Sequence, residues 1–292
     1  MNKIVTVLLI FYMPVFLYSQ THNEIIKKEL SFGKASNSNV FLLANINGSI
    51  YAEGYDGDQV ILEAEFFIEA KTNERLEKAK DRLRLGIEDR YDSIAVYIKR
   101  LCDCGNAGLR SYDGKKSKWG YEWDDCRYSY DFKINFKLKV PRRLNVYLST
   151  VNDGSITVSG LNGTLDLHNV NGDISATGVR SYTYAHSVNG DITLDYKNIP
   201  GPNSSYYTLN GDIKAYVPSN FKADVTFKSL NGDIYTDFES IEQKPMLLAM
   251  NDERKVKGTY FKVEAKSVIS FGGGGSQLDF ETFNGDVFIR KK

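Results

Sequence analysis

Five carboxylates stand in one recurring frame: Asp173, Asp191, Asp212, Asp233 and Asp286 each close an Asn-Gly-Asp triplet. If the triplets stack about 4.8 Å apart, Asp173, Asp191, Asp212 and Asp233 form a column. Neighbouring charges at that spacing repel by roughly 0.9 kcal/mol per pair in water. Such a column must be solvated, tied to its own turns or bridged by cations. Calcium takes roughly six to eight oxygens, and each turn offers one carboxylate. An Asx-type turn, with the side chain accepting from nearby backbone N–H groups, is therefore the expected role. Calcium is the lesser alternative, and no other cofactor is expected. His168 and His186 both fall three residues before a triplet Asn, so stacking sets them side by side in a column continued by Tyr207 and Lys228. Two imidazoles can ligate a metal or answer to pH. Nothing in the column supplies the remaining ligands, and it reads as a solvated face.

Cys102, Cys104 and Cys126 share one short span. An odd number allows at most one intrachain bridge, from Cys126 to Cys102 or to Cys104. A three-thiolate zinc site is the alternative, although structural zinc normally takes four ligands. Trp119, Tyr121 and Trp123 alternate in the same span. They are candidate ligand-binding aromatics, able to stack on sugars or anchor a protein partner, and equally suited to capping a stack end. Tyr182 and Tyr184, with Tyr206 and Tyr207, offer a second aromatic cluster. No nucleophile elbow, HExxH, phosphate loop or triad-like grouping appears, so an enzyme is not expected.

The elements that must position these groups are repeats. The triplets are Asn171-Gly172-Asp173, Asn189-Gly190-Asp191, Asn210-Gly211-Asp212, Asn231-Gly232-Asp233 and Asn284-Gly285-Asp286, and the first four asparagines lie 18, 21 and 21 residues apart. A period near 20 marks stacked units. Before each Asn stands Val170, Val188, Leu209, Leu230 or Phe283, and after each Asp stands Ile174, Ile192, Ile213, Ile234 or Val287. Both flanks read as strand ends pointing into a core. Two before each Asn stands Asn169, Ser187, Thr208, Ser229 or Thr282, a set suited to a hydrogen-bonded ladder. Degenerate copies surround Asn47-Gly48, Asn162-Gly163 and Asn152-Asp153-Gly154. Asn-Gly supplies two positions tolerant of positive φ. Because equivalent residues recur a whole unit apart, parallel stacking is expected rather than simple hairpins. The predicted fold is all-β: a parallel β-solenoid of short Asn-Gly-Asp repeats with one short helix near its N-terminal part. A β-sandwich or meander is the alternative.

Outside the repeats, Val60 to Ala70 and Tyr128 to Val140 alternate apolar and polar residues as half-buried strands do. A helix is expected from about Glu74 to Arg84, capped by Asn73, with Leu76, Ala79 and Leu83 buried and Gly86 ending it. Ile87 to Leu101 returns to strand, and Glu239 to Lys266 reads as an irregular, charged insertion with some strand character. Residues 1–19 read as a signal peptide: Lys3, then an apolar run from Ile4 to Tyr18. That run is shorter than the roughly 20 residues of a membrane span. Residues 20–292 follow as one elongated domain with a Cys/Trp-containing excursion at 101–127. The protein is expected to be exported, to the cell surface, periplasm or medium, and not transmembrane after cleavage. Its 37 basic and 37 acidic residues cancel, leaving no electrostatic footprint for nucleic acid.

This arrangement resembles a bacterial family known as putative adhesins, a domain of unknown function akin to the head domain of autotransporter adhesins. The resemblance rests on Asn47-Gly48-Ser49-Ile50 followed by Asp56-Gly57-Asp58-Gln59-Val60, on Val140-Pro141, on the serial Asn-Gly-Asp-Ile units, and on the Gly-rich run before Phe283-Asn284-Gly285-Asp286-Val287. It implies an exported single-stranded β-solenoid. The expected function is non-catalytic: adhesion or envelope scaffolding through the surface, with an envelope protein or glycan as partner. The alternatives are a polysaccharide-active enzyme on a β-helix and a periplasmic accessory of envelope-stress signalling.

Overall fold

The computed structural model describes residues 19–34, 36, 38–99, 129–255 and 258–292, with backbone alone within 246–266. The leader up to residue 18 lies outside the described residues. So does the excursion at 101–127, with Cys102, Cys104, Cys126, Trp119, Tyr121 and Trp123.

In chain order the elements are β1 (Gln20–Leu30), β2 (Val40–Ala44), β3 (Ile50–Tyr55), β4 (Val60–Ala70), helix α1 (Asn73–Arg82), β5 (Arg84–Asp89), β6 (Ser93–Lys99), β7 (Tyr130–Pro141), β8 (Asn145–Thr150) and β9 (Ile156–Ser159). Then come β10 (Leu165–Asn169), β11 (Ile174–Val179), β12 (Thr183–Asn189), β13 (Ile192–Tyr196), β14 (Ser204–Asn210), β15 (Ile213–Val217), β16 (Ala223–Asn231) and β17 (Ile234–Thr236). The chain ends with β18 (Ile241–Lys255), β19 (Gly258–Phe271), β20 (Ser276–Asn284) and β21 (Val287–Lys291).

These strands form two sheets. The first runs β1-β4-β7-β3-β9-β11-β13-β15-β21-β17, and the second β18-β19-β16-β20-β14-β12-β10-β8-β2-β6-β5. Between the ends the chain winds in coils. Each coil has one strand in the second sheet, an Asn-Gly corner, one strand in the first sheet, and a return corner. Neighbouring coils are parallel and in register, with Ile174 opposite Ile192, Ile192 opposite Ile213, and Ile213 opposite Val287. The result is an all-β parallel stack, consistent with a β-solenoid.

The core lies between the sheets and follows from period-2 patterning. Val60, Leu62, Ala64, Phe66, Ile68 and Ala70 point inward from β4, and Phe132, Ile134, Phe136, Leu138 and Val140 from β7. The residue after each triplet Asp also points inward, with Ile174, Ile192, Ile213 and Val287 all at most 1% exposed. Among these apolar groups Tyr196 and Tyr206 join hydroxyls at 2.6 Å. That bond helps to satisfy two polar groups in an apolar setting.

The N-terminal end is closed differently. Antiparallel β1-β4-β7 caps the first sheet and the β5–β6 hairpin caps the second. Helix α1 connects them, burying Leu76 and Ala79. Its N-cap is Thr72, not Asn73: the Thr72 hydroxyl accepts from the Arg75 N–H at 3.3 Å. Leu83 ends the helix, while Gly86 sits inside β5, where an added Cβ would collide with the Tyr97 ring. The strand expected from Ile87 onward is thus a hairpin, turned at Arg90, whose N–H bonds the Ser93 carbonyl. At the other end, the segment expected to be an irregular insertion is the β18–β19 hairpin, with β19 antiparallel to β16.

Coil order departs from sequence order. The coil β20/β21 lies between β14/β15 and β16/β17. Asp286 therefore neighbours Asp212, and Asp233 lies one coil further on, which corrects the expected column. The frame is the same in every coil, so sequence spacing carries no information about which coil stacks on which.

Candidate functional site

The Asn-Gly-Asp corners are where the coils register. Gly172, Gly190, Gly211 and Gly285 take φ of +151°, +156°, +150° and +149°. The preceding asparagines do not share positive φ, contrary to expectation; among described non-glycine residues only Asp153 and Asn203 do. At Gly211 an added Cβ would strike the Gly190 carbonyl, and at Gly285 the Gly211 carbonyl. Glycine is required because the backbones of successive coils nearly touch.

Three ladders run along this edge. Each triplet asparagine donates its side-chain N–H to the side-chain oxygen of the asparagine in the preceding coil of the stack: Asn171 to Asn152 (2.7 Å), Asn189 to Asn171 (2.8 Å), Asn210 to Asn189 (2.8 Å), Asn284 to Asn210 (2.7 Å) and Asn231 to Asn284 (2.7 Å). The ladder expected among the residues two before Asn takes another form: Asn169, Ser187, Thr208 and Thr282 instead reach the glycine carbonyl of the neighbouring coil. Thr208 bonds Gly190 at 3.0 Å and Ser187 bonds Gly172 at 3.2 Å. The aspartates accept from backbone. Asp173 takes the Asp191 N–H, Asp191 the Asp212 N–H, Asp212 the Asp286 N–H and Asp286 the Asp233 N–H, at 2.9 to 3.0 Å. Each carboxylate thus bonds the next coil rather than its own turn. Lys214 adds a cation, 2.6 Å from Asp191 and 3.6 Å from Asp212. Partial burial pushes the Asp191 pKa up, but Lys214 and the Asp212 N–H outweigh it and hold the carboxyl below its ordinary value. Among the described residues, no group of three or more His, Cys, Asp or Glu is arranged to hold a metal.

The outer face of the second sheet gathers the remaining chemistry. Register sets His168 directly opposite His186, and His186 opposite Tyr207. Tyr147 stacks on His168 at 5.0 Å, His168 meets His186 edge-on at 5.8 Å, and His186 meets Tyr207 at 4.7 Å. Tyr184 lies 5.3 Å from His168. The expected column does not pass straight from Tyr207 to Lys228: Glu281 intervenes, 2.9 Å from Lys228. Burial, then the neighbouring His168, lowers the His186 pKa to about 4, against a smaller opposite pull from Asp166. His168 Nε2 lies 2.6 Å from Asp166 Oδ1. Burial, then Asp166, raises the pKa of Tyr184.

Beside this column runs an apolar ridge. The residues before each Asn alternate with the buried Ser187, Thr208 and Thr282 and therefore point outward. Val170 is 37% exposed, Phe283 44% and Leu230 66%. This corrects the expectation that they enter the core. The signal is present in the sequence, because Ala185-His186-Ser187-Val188 fixes the phase once Ala185 is taken as buried. Sequence reading also misses a cleft of about 790 Å³ at the return corners, walled by Phe32, Tyr55, Asp58 and Arg143. There Arg142 bonds Asp56 at 2.9 Å.

Fold and corner together define a parallel, toastrack-like stack. Residues 145–266 match the family described as Toastrack DUF4097, a domain of unknown function. That match runs from β8 into β19 and stops short of β20 and β21. Among solved structures, the chain is similar to one described as a putative cell adhesion protein from Clostridium sporogenes: 11% identity, TM-score 0.42, covering 94% of this chain and 100% of that one. It is also similar to one described as a putative lipid binding protein from Parabacteroides distasonis: 11% identity, TM-score 0.22, covering 92% and 96%. No curated protein matches the chain. No helix among the described residues is long and apolar enough to cross a membrane.

Proposed function

We propose that the protein is exported and acts without catalysis, through the outer face of its second sheet, in adhesion or as a scaffold of the cell envelope. One observation carries this reading: rows of tyrosine, histidine and apolar side chains repeat along that face in the register of the coils. A surface that repeats every ~4.8 Å suits an extended polymer or strand. Tyrosine and histidine rings offer flat apolar area with polar tips, the chemistry that recognises a glycan or anchors a protein. The signal-like N-terminus supports export, and the kinship with adhesin head domains implied by the sequence belongs to the same reading.

The test is retention of purified protein on the isolated envelope fraction and on a polysaccharide panel. Tyr184→Ser with Tyr207→Ser is expected to abolish retention while leaving the thermal midpoint close to that of the natural protein. Undiminished retention would sink the proposal. The His168–Asp166 contact favours a second reading, an enzyme acting on polysaccharide. Sugar release by natural protein but not by Asp166→Asn would replace binding with catalysis. Protease digestion on intact washed cells would place the protein at the surface, whereas protection until lysis would place it in the periplasm.

A further inference from the structure

The chain does not stack its coils in the order in which it makes them. After β14/β15 it forms β16/β17, runs out through the β18–β19 hairpin, and returns to set β20/β21 between two coils already made. β20 pairs in parallel with β14 on one side and β16 on the other, and β21 does so with β15 and β17. Its corner bonds span long stretches of chain: Asn231 to Asn284 bridges 53 residues and Asn284 to Asn210 bridges 74. The coil contributes fully to the core, since Leu278, Phe280, Thr282, Val287 and Ile289 are all at most 3% exposed.

Two features make this coil separable. The link that carries it is Gly272-Gly273-Gly274-Gly275, whose first three residues take φ of +59°, +86° and +88°. Nothing lies within 4 Å of where a Cβ of Gly273 would sit. Once the bonds from the Gly272 and Gly274 N–H groups to the Ser240 and Phe271 carbonyls are released, an all-glycine link accepts many other paths. The slot itself is generic. The β14/β15 corner meets Asn284-Gly285-Asp286 through the same amide, glycine-carbonyl and carboxylate bonds by which β12/β13 meets Asn210-Gly211-Asp212. Those bonds recognise the frame, not the chain that supplies it.

From this we infer that residues 276–292 are an exchangeable coil. The slot between β14/β15 and β16/β17 is an interaction surface whose partner is the same segment of a second copy of this chain. Exchanging an identical element is a low-cost route to assembly, because each copy remakes the bonds it gave up. The tether raises the coil's own concentration at the slot to the order of mM. Closure within one chain therefore wins in dilute solution, and exchange belongs to crowded surfaces. The inference goes beyond the surface reading above and does not depend on it.

A full-length chain carrying Gly285→Val tests it. The added side chain strikes the Gly211 carbonyl, so the chain keeps the slot but cannot seat its own coil. Co-expressed with an inert carrier fused to residues 272–292 of the natural sequence, it is expected to co-purify with the carrier in equal amounts and to regain the natural thermal midpoint. A carrier whose segment also bears Gly285→Val is expected not to be retained. If the natural segment fails to co-purify, the inference is overturned whether the variant chain is folded or not, because a slot that cannot take the coil in trans is not an exchange surface.

Discussion

The two sheets share one core and one set of corners, and their inner faces follow the same rule. Their outer faces differ along the middle coils. On the first sheet Glu63 of β4 sits between Lys27 of β1 and Lys137 of β7, at 2.9 and 3.6 Å. Further along, that face carries Ser175, Thr193 and Lys214 in successive coils before the row ends in the stacked rings of Phe288 and Tyr235. On the second sheet the matching rows carry His168, His186 and Tyr207, flanked by outward Val170, Val188 and Leu209. Folding dictates the inward columns and leaves the outward ones free. The run of rings, an uncharged histidine and an apolar ridge at these free positions is what the proposed surface role would use. The polar middle coils of the first sheet are the control built into the same molecule.

The most severe way to break the comparison is to break what both faces share. Gly211→Val forces a side chain against the Gly190 carbonyl at a positive-φ position. The expected loss is about 3–5 kcal/mol, read from denaturant unfolding. Both faces should go together, which can be followed by tyrosine fluorescence and by envelope retention. Retention that survives beyond the denaturant midpoint read by tyrosine fluorescence would show that the two sheets are not one cooperative unit.

A smaller effect separates inside from outside. Thr208 is buried and donates to the Gly190 carbonyl at 3.0 Å. Thr208→Val removes that bond and leaves a buried acceptor short of a partner, at an expected cost of about 1–3 kcal/mol. Thr193→Val, on the outer face of the first sheet, should stay within about 0.5 kcal/mol of zero. Equal costs for the two would mean that the ladder does not discriminate inner from outer positions.

The second face also has a pH signature. His186 titrates at about 4 in the folded chain against an ordinary 6.5, so between those values the unfolded chain holds more protons. Stability is then complete above pH 6.5, declines as pH falls toward 4, and loses nothing further from this group below that. Because the ring is partly solvated, the decline should be only about 1 kcal/mol after screening is allowed for. It should vanish in His186→Gln. A natural protein whose stability is flat from pH 6.5 to 4 would show that the ring is more open to water than its neighbours His168, Asp166, Tyr184 and Tyr207 imply.

What is legible in the sequence follows from periodicity. Alternation in Val60–Ala70 marks the buried set of β4, and the recurrence of Asn-Gly-Asp-Ile points to parallel strands. Two features resist for physical reasons. Coil order is hidden because Asn210, Asn231 and Asn284 present the same frame, so that bonding energies barely distinguish neighbours. The orientation of Val188 and Leu209 is easily misread because apolar character alone suggests burial, whereas the phase set by Ala185 and Tyr206 sends them outward. The His168–His186 pairing is readable once stacking is assumed. Asp166 and Tyr147 are not, since they join the cluster only through contacts that the structure reveals. Helix α1 is legible with its cap displaced by one residue, as adjacent Thr72 and Asn73 can both serve.

The smallest expected effect lies where the faces meet the corner. Lys214 is the cation beside Asp191 and Asp212, which hold neighbouring rungs of the aspartate ladder. Lys214→Gln leaves those two carboxylates without it. Both remain more than a third exposed, so the cost should be only about 0.5 kcal/mol at low ionic strength, fading as salt screens the column. The pH dependence has a definite sign. The folded Asp191 pKa is depressed below its ordinary 3.8, so its contribution is present above pH 3.8 and is lost as pH falls through the depressed value. The natural protein and the Lys214→Gln variant should therefore differ at neutral pH and converge in acid. Added calcium offers a sharper reading of the same column. If the backbone N–H bonds already satisfy the aspartates, the thermal midpoint of Lys214→Gln should not rise with millimolar calcium, whereas a clear rise would show that the ladder can trade its lysine for a divalent ion.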